Sequence, residues 1–102
     1  MNDILTNIKY GWCDFRLDGY EARPSYVRFL PLDILDAYKE YCKSQHCIIE
    51  FDEELTQFCL IIWENNLLIL DNRNNKFNIT PVKLNAKEVL NKLINEIIFP
   101  NN

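Results

Sequence analysis

Apolar side chains fill both alternating sets of positions along Gln57-Phe58-Cys59-Leu60-Ile61-Ile62-Trp63-Glu64-Asn65-Asn66-Leu67-Leu68-Ile69-Leu70-Asp71. The pattern predicts a β-hairpin, because two consecutive Asn residues accept the left-handed backbone of a tight turn. With the turn at Asn65-Asn66, Ile62 lies opposite Ile69. Leu60, Ile62, Leu67 and Ile69 then share one face, and Ile61, Trp63, Leu68 and Leu70 share the other. Burying side chains of this size is worth roughly 1.5–3 kcal/mol each, so each face calls for a cover: a helix, another strand layer or a partner protein.

The same periodicities organise the rest of the chain. Residues Ile8 to Leu17 alternate as a first strand, with Tyr10 and Trp12 on one side, Cys13, Phe15 and Leu17 on the other, and Gly11 as a bulge. Asp18-Gly19 is a two-residue turn signal that folds a second strand, Tyr20 to Arg28, back antiparallel. Pro24 cannot donate a ladder hydrogen bond, so it puts that strand at an edge or interrupts it. Pro31 opens a helix running to about Ser44, with an apolar stripe of Ile34, Leu35, Tyr38, Tyr41 and Cys42.

A strand from Cys47 to Asp52, a link Glu53-Glu54-Leu55-Thr56, the hairpin, and a strand from Phe77 to Val82 follow. Asn85 caps the last helix with Glu88 three residues on, and Leu84 with Val89 supplies a hydrophobic staple. Ala86, Val89, Leu90, Leu93, Ile94, Ile97 and Ile98 form its apolar stripe, and Pro100 ends it. The order ββ-α-ββββ-α predicts an α+β fold: a mostly antiparallel sheet of five to six strands with two helices. Helices on opposite faces of the sheet complete the core of a monomer. Helices on the same face leave the other open to a partner, including a second copy, and the short connections fit both arrangements.

The chain is 102 residues long, 48% apolar and 25% charged with two Gly, which predicts one globular domain over residues 1–102. A net charge of −4 argues against a general nucleic-acid binder, which needs Lys and Arg to displace phosphate counterions. The first residues, Met1-Asn2-Asp3-Ile4-Leu5-Thr6-Asn7, carry no cationic region ahead of an apolar run, and no segment approaches the ~20 apolar residues of a membrane span. A cytoplasmic protein without membrane contact is the expectation. Cys13, Cys42, Cys47 and Cys59 lack CxxC spacing and read as small hydrophobes.

Candidate chemistry is sparse. His46, between Cys42 and Cys47, has the wrong spacing for a metal knuckle, and strand alternation sends Cys47 inward while His46 faces away. No metal or other cofactor is expected. Gly11 and Gly19 alone cannot write a phosphate-cradling loop. A small hydrolase using Cys42 or Cys47 with His46 is the minor alternative, and no catalytic residue is assigned. Glu50, Asp52, Glu53 and Glu54 cluster at a strand end and turn, Glu50 and Asp52 on one face. They read as a solvated acidic rim or, with Trp63, as the candidate partner-binding surface, an aromatic anchor ringed by charge; acid-base work by the carboxylate pair, as in glycoside cleavage, is the minor reading.

Trp12-Cys13-Asp14-Phe15, Pro24-Ser25-Tyr26, Pro31-Leu32-Asp33-Ile34-Leu35 and Glu50-Phe51-Asp52-Glu53-Glu54 ahead of a two-faced hairpin give a layout that resembles small immunity proteins of bacterial polymorphic toxin systems. The resemblance spans most of the chain and implies a cytoplasmic, non-enzymatic inhibitor that binds and blocks one toxin domain. An acidic surface suits a basic toxin, because charge complementarity speeds encounter. A structural subunit that homodimerises through an open sheet face is the alternative.

Overall fold

Tyr10 (φ 55°) and Gly11 (φ 80°) both take the left-handed backbone, and this pair reverses the chain inside what the alternation predicts to be one strand. In the computed structural model, which describes residues 1–26 and 29–101, the segment is a hairpin of β1 (Leu5–Lys9) and β2 (Trp12–Leu17). Tyrosine is disfavoured in this conformation, so its side chain carried no turn signal. Gly11 is a turn residue rather than a bulge; the bulge lies between Thr6 and Lys9, where Asn7 is also left-handed (φ 51°). Asp18 (φ 48°) and Gly19 (φ 85°) make the expected turn into β3 (Tyr20–Ala22). β3 is shorter than predicted. The chain leaves the ladder before Pro24, whose carbonyl accepts from the Cys13 amide, and Ser25 only bridges Trp12. Residues 27 and 28 of the expected strand lie outside the described residues.

Helix α1 (Phe29–Ser44) begins two residues before Pro31. Its core-facing residues are Leu30, Ile34 and Ala37, with Tyr38 and Tyr41 half-buried, whereas Leu35 and Cys42 are exposed. The buried stripe is thus rotated from the predicted one towards the small Ala37. Gln45, left-handed at φ 63°, ends the helix and starts β4 (His46–Asp52) at once. β4, β5 (Gln57–Trp63), β6 (Asn66–Asp71) and β7 (Asn78–Val82) pair in sequence order as an antiparallel meander. The strands therefore number seven in two sheets of three and four, not five to six in one, within an α+β fold.

The β5–β6 turn falls at Glu64-Asn65, not at Asn65-Asn66, so Ile62 lies opposite Leu67 rather than Ile69. Tertiary bonds select this register. The Glu64 amide donates to the Gln45 carbonyl (2.6 Å), the Tyr41 hydroxyl donates to the Glu64 carbonyl, and the Asn65 side chain accepts from the Ala86 amide (3.2 Å). A slip of two residues keeps every side chain on its predicted face.

Helix α2 (Ala86–Ile98) starts as predicted, with the Asn85 side chain accepting from the Glu88 amide at 3.0 Å. Leu30, Ile34 and Ala37 of α1, Val89, Leu90 and Leu93 of α2, and Leu5, Cys13, Phe15 and Leu17 of the three-stranded sheet join one core. That core meets one face only of the four-stranded sheet: Cys47, Ile49, Phe51, Phe58, Leu60, Ile62, Leu67, Ile69 and Val82. Phe15 packs 5.0 Å from both Phe51 and Phe58, whose rings stack 4.7 Å apart.

Two carboxylates are drawn into this assembly. Glu96 is 2% exposed, and its oxygens accept from the amides of Ile4 (2.9 Å) and Leu5 (2.7 Å), fastening the first strand to the last helix. Asp71 accepts from the Tyr20 hydroxyl (2.8 Å), the Asn78 side chain (2.8 Å) and the Arg73 amide (3.2 Å), joining the two sheets. Burial works against its ionisation, yet the bonds from Asn78, Tyr20 and Arg73 hold its carboxyl below the usual range.

Candidate functional site

Both helices and the three-stranded sheet pack on one side of β4–β7, and among the described residues nothing covers the opposite face. The ladder register aligns its side chains in rows across the strands. One row runs Ile48, Ile61, Leu68, Pro81; the next runs Glu50, Cys59, Leu70, Ile79. His46, Trp63 and Asn66 form the row at one end, and Asp52 with Gln57 closes the other. Ile48 is 58% exposed and Ile79 66%, so the two rows present contiguous apolar side chains to solvent. Phe77, just before β7, adds a nearly bare ring.

None of the outward positions on the four strands is Lys or Arg. The carboxylates of the face are those of Glu50 and Asp52, and no ion pair among the described residues engages either. Asp52 accepts from the Gln57 side chain at 2.9 Å. Beside the two carboxylates lies a depression of about 180 Å³, walled by Gln57, Cys59, Leu70, Asn72 and Phe77 among others. Burial, with the Glu50 carboxylate alongside, raises the Cys59 thiol.

Of the five residues proposed from sequence for partner contact, Glu50, Asp52 and Trp63 share this face, and Glu54 is exposed in the link that follows β4. Glu53 turns the other way. Its carboxylate pairs with Arg73 (3.1 Å), accepts from Thr56 Oγ1 (3.2 Å), and helps hold the guanidinium that lies 4.8 Å from the Tyr20 ring. The sequence reading missed Ile48, Ile79 and Phe77. Alternation in β4 and β7 puts the two isoleucines outward, so the signal was present, but the register that brings them beside Ile61 and Leu70 was not.

His46 and Cys47 stand on opposite faces of β4. Burial pushes the Cys47 thiol up to about 11, the reverse of the depression that activates a nucleophilic cysteine. Burial likewise takes Cys13 to about 12. Among the described residues, no cluster of three or more His, Cys, Asp or Glu side chains is placed to hold a metal ion, and no helix is long and apolar enough to cross a membrane.

The sheet edges limit how a partner can approach. Pro81 sits in the edge strand β7 with no amide hydrogen to offer, and the end of β4 is tied by the Ser25 amide to the Asp52 carbonyl (2.7 Å). Strand addition is thereby discouraged at those points. The broad face carries no such obstruction among the described residues. No family model, no curated protein and no solved structure matches this chain.

Proposed function

We propose that this chain is a non-catalytic protein-binding module acting as an immunity protein, a cytoplasmic inhibitor that binds a toxin domain and neutralises it. The observation that supports the reading is the uncovered sheet face, whose two central rows are apolar except for Glu50. An apolar surface of this kind on a folded domain marks an interaction site more often than a catalytic one. Its acidic end favours a basic toxin, through faster encounter and discrimination against acidic partners.

The test is an affinity capture of the tagged chain from its own cells, followed by co-expression of any stoichiometric partner. A partner that arrests growth alone and is silenced by this chain is the expected result. Recovery of no protein in stoichiometric amount overturns the reading. The alternative reading is a homodimerising structural subunit, and a molar mass in light scattering that doubles with concentration is its signature.

A further inference from the structure

We infer that the uncovered face of the four-stranded sheet docks a protein segment that combines an apolar ridge with a lysine or arginine, and that it does not close on a second copy of this chain. The inference rests on the binding-module reading and names the chemistry of the partner.

Glu50 decides what can sit on this face. It lies directly across the ladder from Cys59 and two residues along β4 from Ile48, with Leu70 and Ile79 completing its row. Glu50 stands on the edge strand β4, next to Ile48 along the strand and Cys59 across the ladder, so a cover seated on those two residues takes water from the near side of its carboxylate. An ionised carboxylate without a compensating charge or hydrogen bonds is heavily disfavoured in such a place. The described residues supply no ion pair to Glu50. The outward positions of the sheet contain neither Lys nor Arg, and their one basic group, His46, is two rows away.

A second copy stacked on this face brings the same deficit. Its own Glu50 and Asp52 would be desolvated together with the first pair, and its rows hold no cation to meet them. A partner with a basic side chain resolves both costs at once. The ammonium or guanidinium enters the depression beside Glu50 and Asp52, where the Phe77 ring forms one wall. A cation there makes charge-assisted hydrogen bonds to the carboxylates and lies close to an aromatic ring.

The test pans a displayed library of random peptides against the full-length chain, maps the bound site by amide chemical shifts, and measures self-association of the free chain by light scattering. Enriched sequences should carry Lys or Arg at a fixed offset from apolar residues and perturb Ile48, Glu50, Cys59 and Ile61. Glu50→Gln or Asp52→Asn should weaken them at least about tenfold, as loss of a charge-assisted hydrogen bond would. Glu88→Gln, on α2, should leave binding unchanged. The wild-type chain should stay monomeric, and Glu50→Leu combined with Asp52→Leu should drive it to dimerise. Enrichment of uncharged sequences, indifference to Glu50→Gln, shifts elsewhere, or a wild-type dimer closed through this face overturns the inference. A neutralised toxin that binds Glu50→Gln as well as wild type keeps the binding-module reading and removes this surface. A face-bound basic peptide with no toxin to neutralise does the reverse.

Discussion

Ile61 and Ile62 are the same residue in the same strand, one bond apart, and they live in different environments. Ile62 is 1% exposed against the helices and the three-stranded sheet, while Ile61 is half-buried on the uncovered side. Beyond the polar outward Gln57, the two faces of β5 differ little in apolar character: Phe58, Leu60 and Ile62 face inward, and Cys59, Ile61 and Trp63 face outward. Folding accounts for the first set. Nothing in the described chain covers the second set, and an outward set of polar residues would satisfy the sheet equally well. Folding of the described residues therefore does not call for the apolar residues of the outer face, and under the binding-module reading proposed above they are kept for a partner.

Threonine substitution separates the two faces most sharply. Ile62→Thr puts a hydroxyl and a void into the core and should lower unfolding free energy by about 2–4 kcal/mol. Ile61→Thr keeps the β-branched shape on a half-exposed site and should cost under about 1 kcal/mol. Denaturant unfolding of the two variants measures the contrast directly. Equal losses would mean that the outer face is as structural as the inner one, and the comparison would collapse.

The two carboxylates drawn into the fold differ in the same way from the two left on the outer face. Glu96→Ala strands the amides of Ile4 and Leu5 without an acceptor and should cost about 1–3 kcal/mol. Glu96→Gln, which keeps one acceptor oxygen, should cost less, and hydrogen exchange at the Ile4 and Leu5 amides should accelerate in both. Glu50→Gln should leave stability unchanged within about 0.5 kcal/mol.

A smaller effect distinguishes Asp71. Its carboxyl is held below the ordinary range in the folded chain, so its ionised form contributes stability at pH above the unfolded carboxylate value. That contribution is lost as pH falls through the folded value. Asp71→Asn should flatten the acid limb of the stability profile, and Tyr20→Phe, which removes one of the donors, should flatten it in part.

The sequence made the faces of this sheet legible and left the cover illegible. Alternation in β4 to β7 is local, and it assigned Leu60 and Ile61 to opposite sides even though the hairpin turn was placed one residue late. The α2 cap is also local: Asn85 and Glu88 are three residues apart, and the bond forms. Which face is left bare depends on contacts between distant segments. The Tyr10-Gly11 reversal splits the first strand and builds a second sheet, whose Phe15 then stacks on Phe51 and Phe58. Tyr10 carries no turn preference, so the pairing of Leu5 with Phe15 selects the reversal. Glu96 was hidden for the same reason. By periodicity it is one acid on a helix, and only the amides of the first strand, over ninety residues away, draw it inward. Glu53 looked like its exposed neighbours until Arg73 was brought to it.

The smallest expected effect is a reaction rate, and it reads both faces in one experiment. The four cysteines sample the molecule: Cys13 and Cys47 are buried in the core, Cys59 is half-buried in the Glu50 row of the outer face, and Cys42 is exposed on α1. Thiolate is the reactive form, so burial protects the inner thiols twice, by denying access and by raising Cys13 to about 12 and Cys47 to about 11. Alkylation at pH 8 followed by mass spectrometry should therefore modify Cys42 first, Cys59 more slowly, and Cys13 and Cys47 only on unfolding. A partner seated on the outer face should slow Cys59 selectively, since it shares its row with Glu50 and Leu70, while Cys42 on α1 reacts as before. Protection of Cys42 instead, with Cys59 unchanged, would move the binding surface to the helices and return the apolar outer rows to the list of features without a cause.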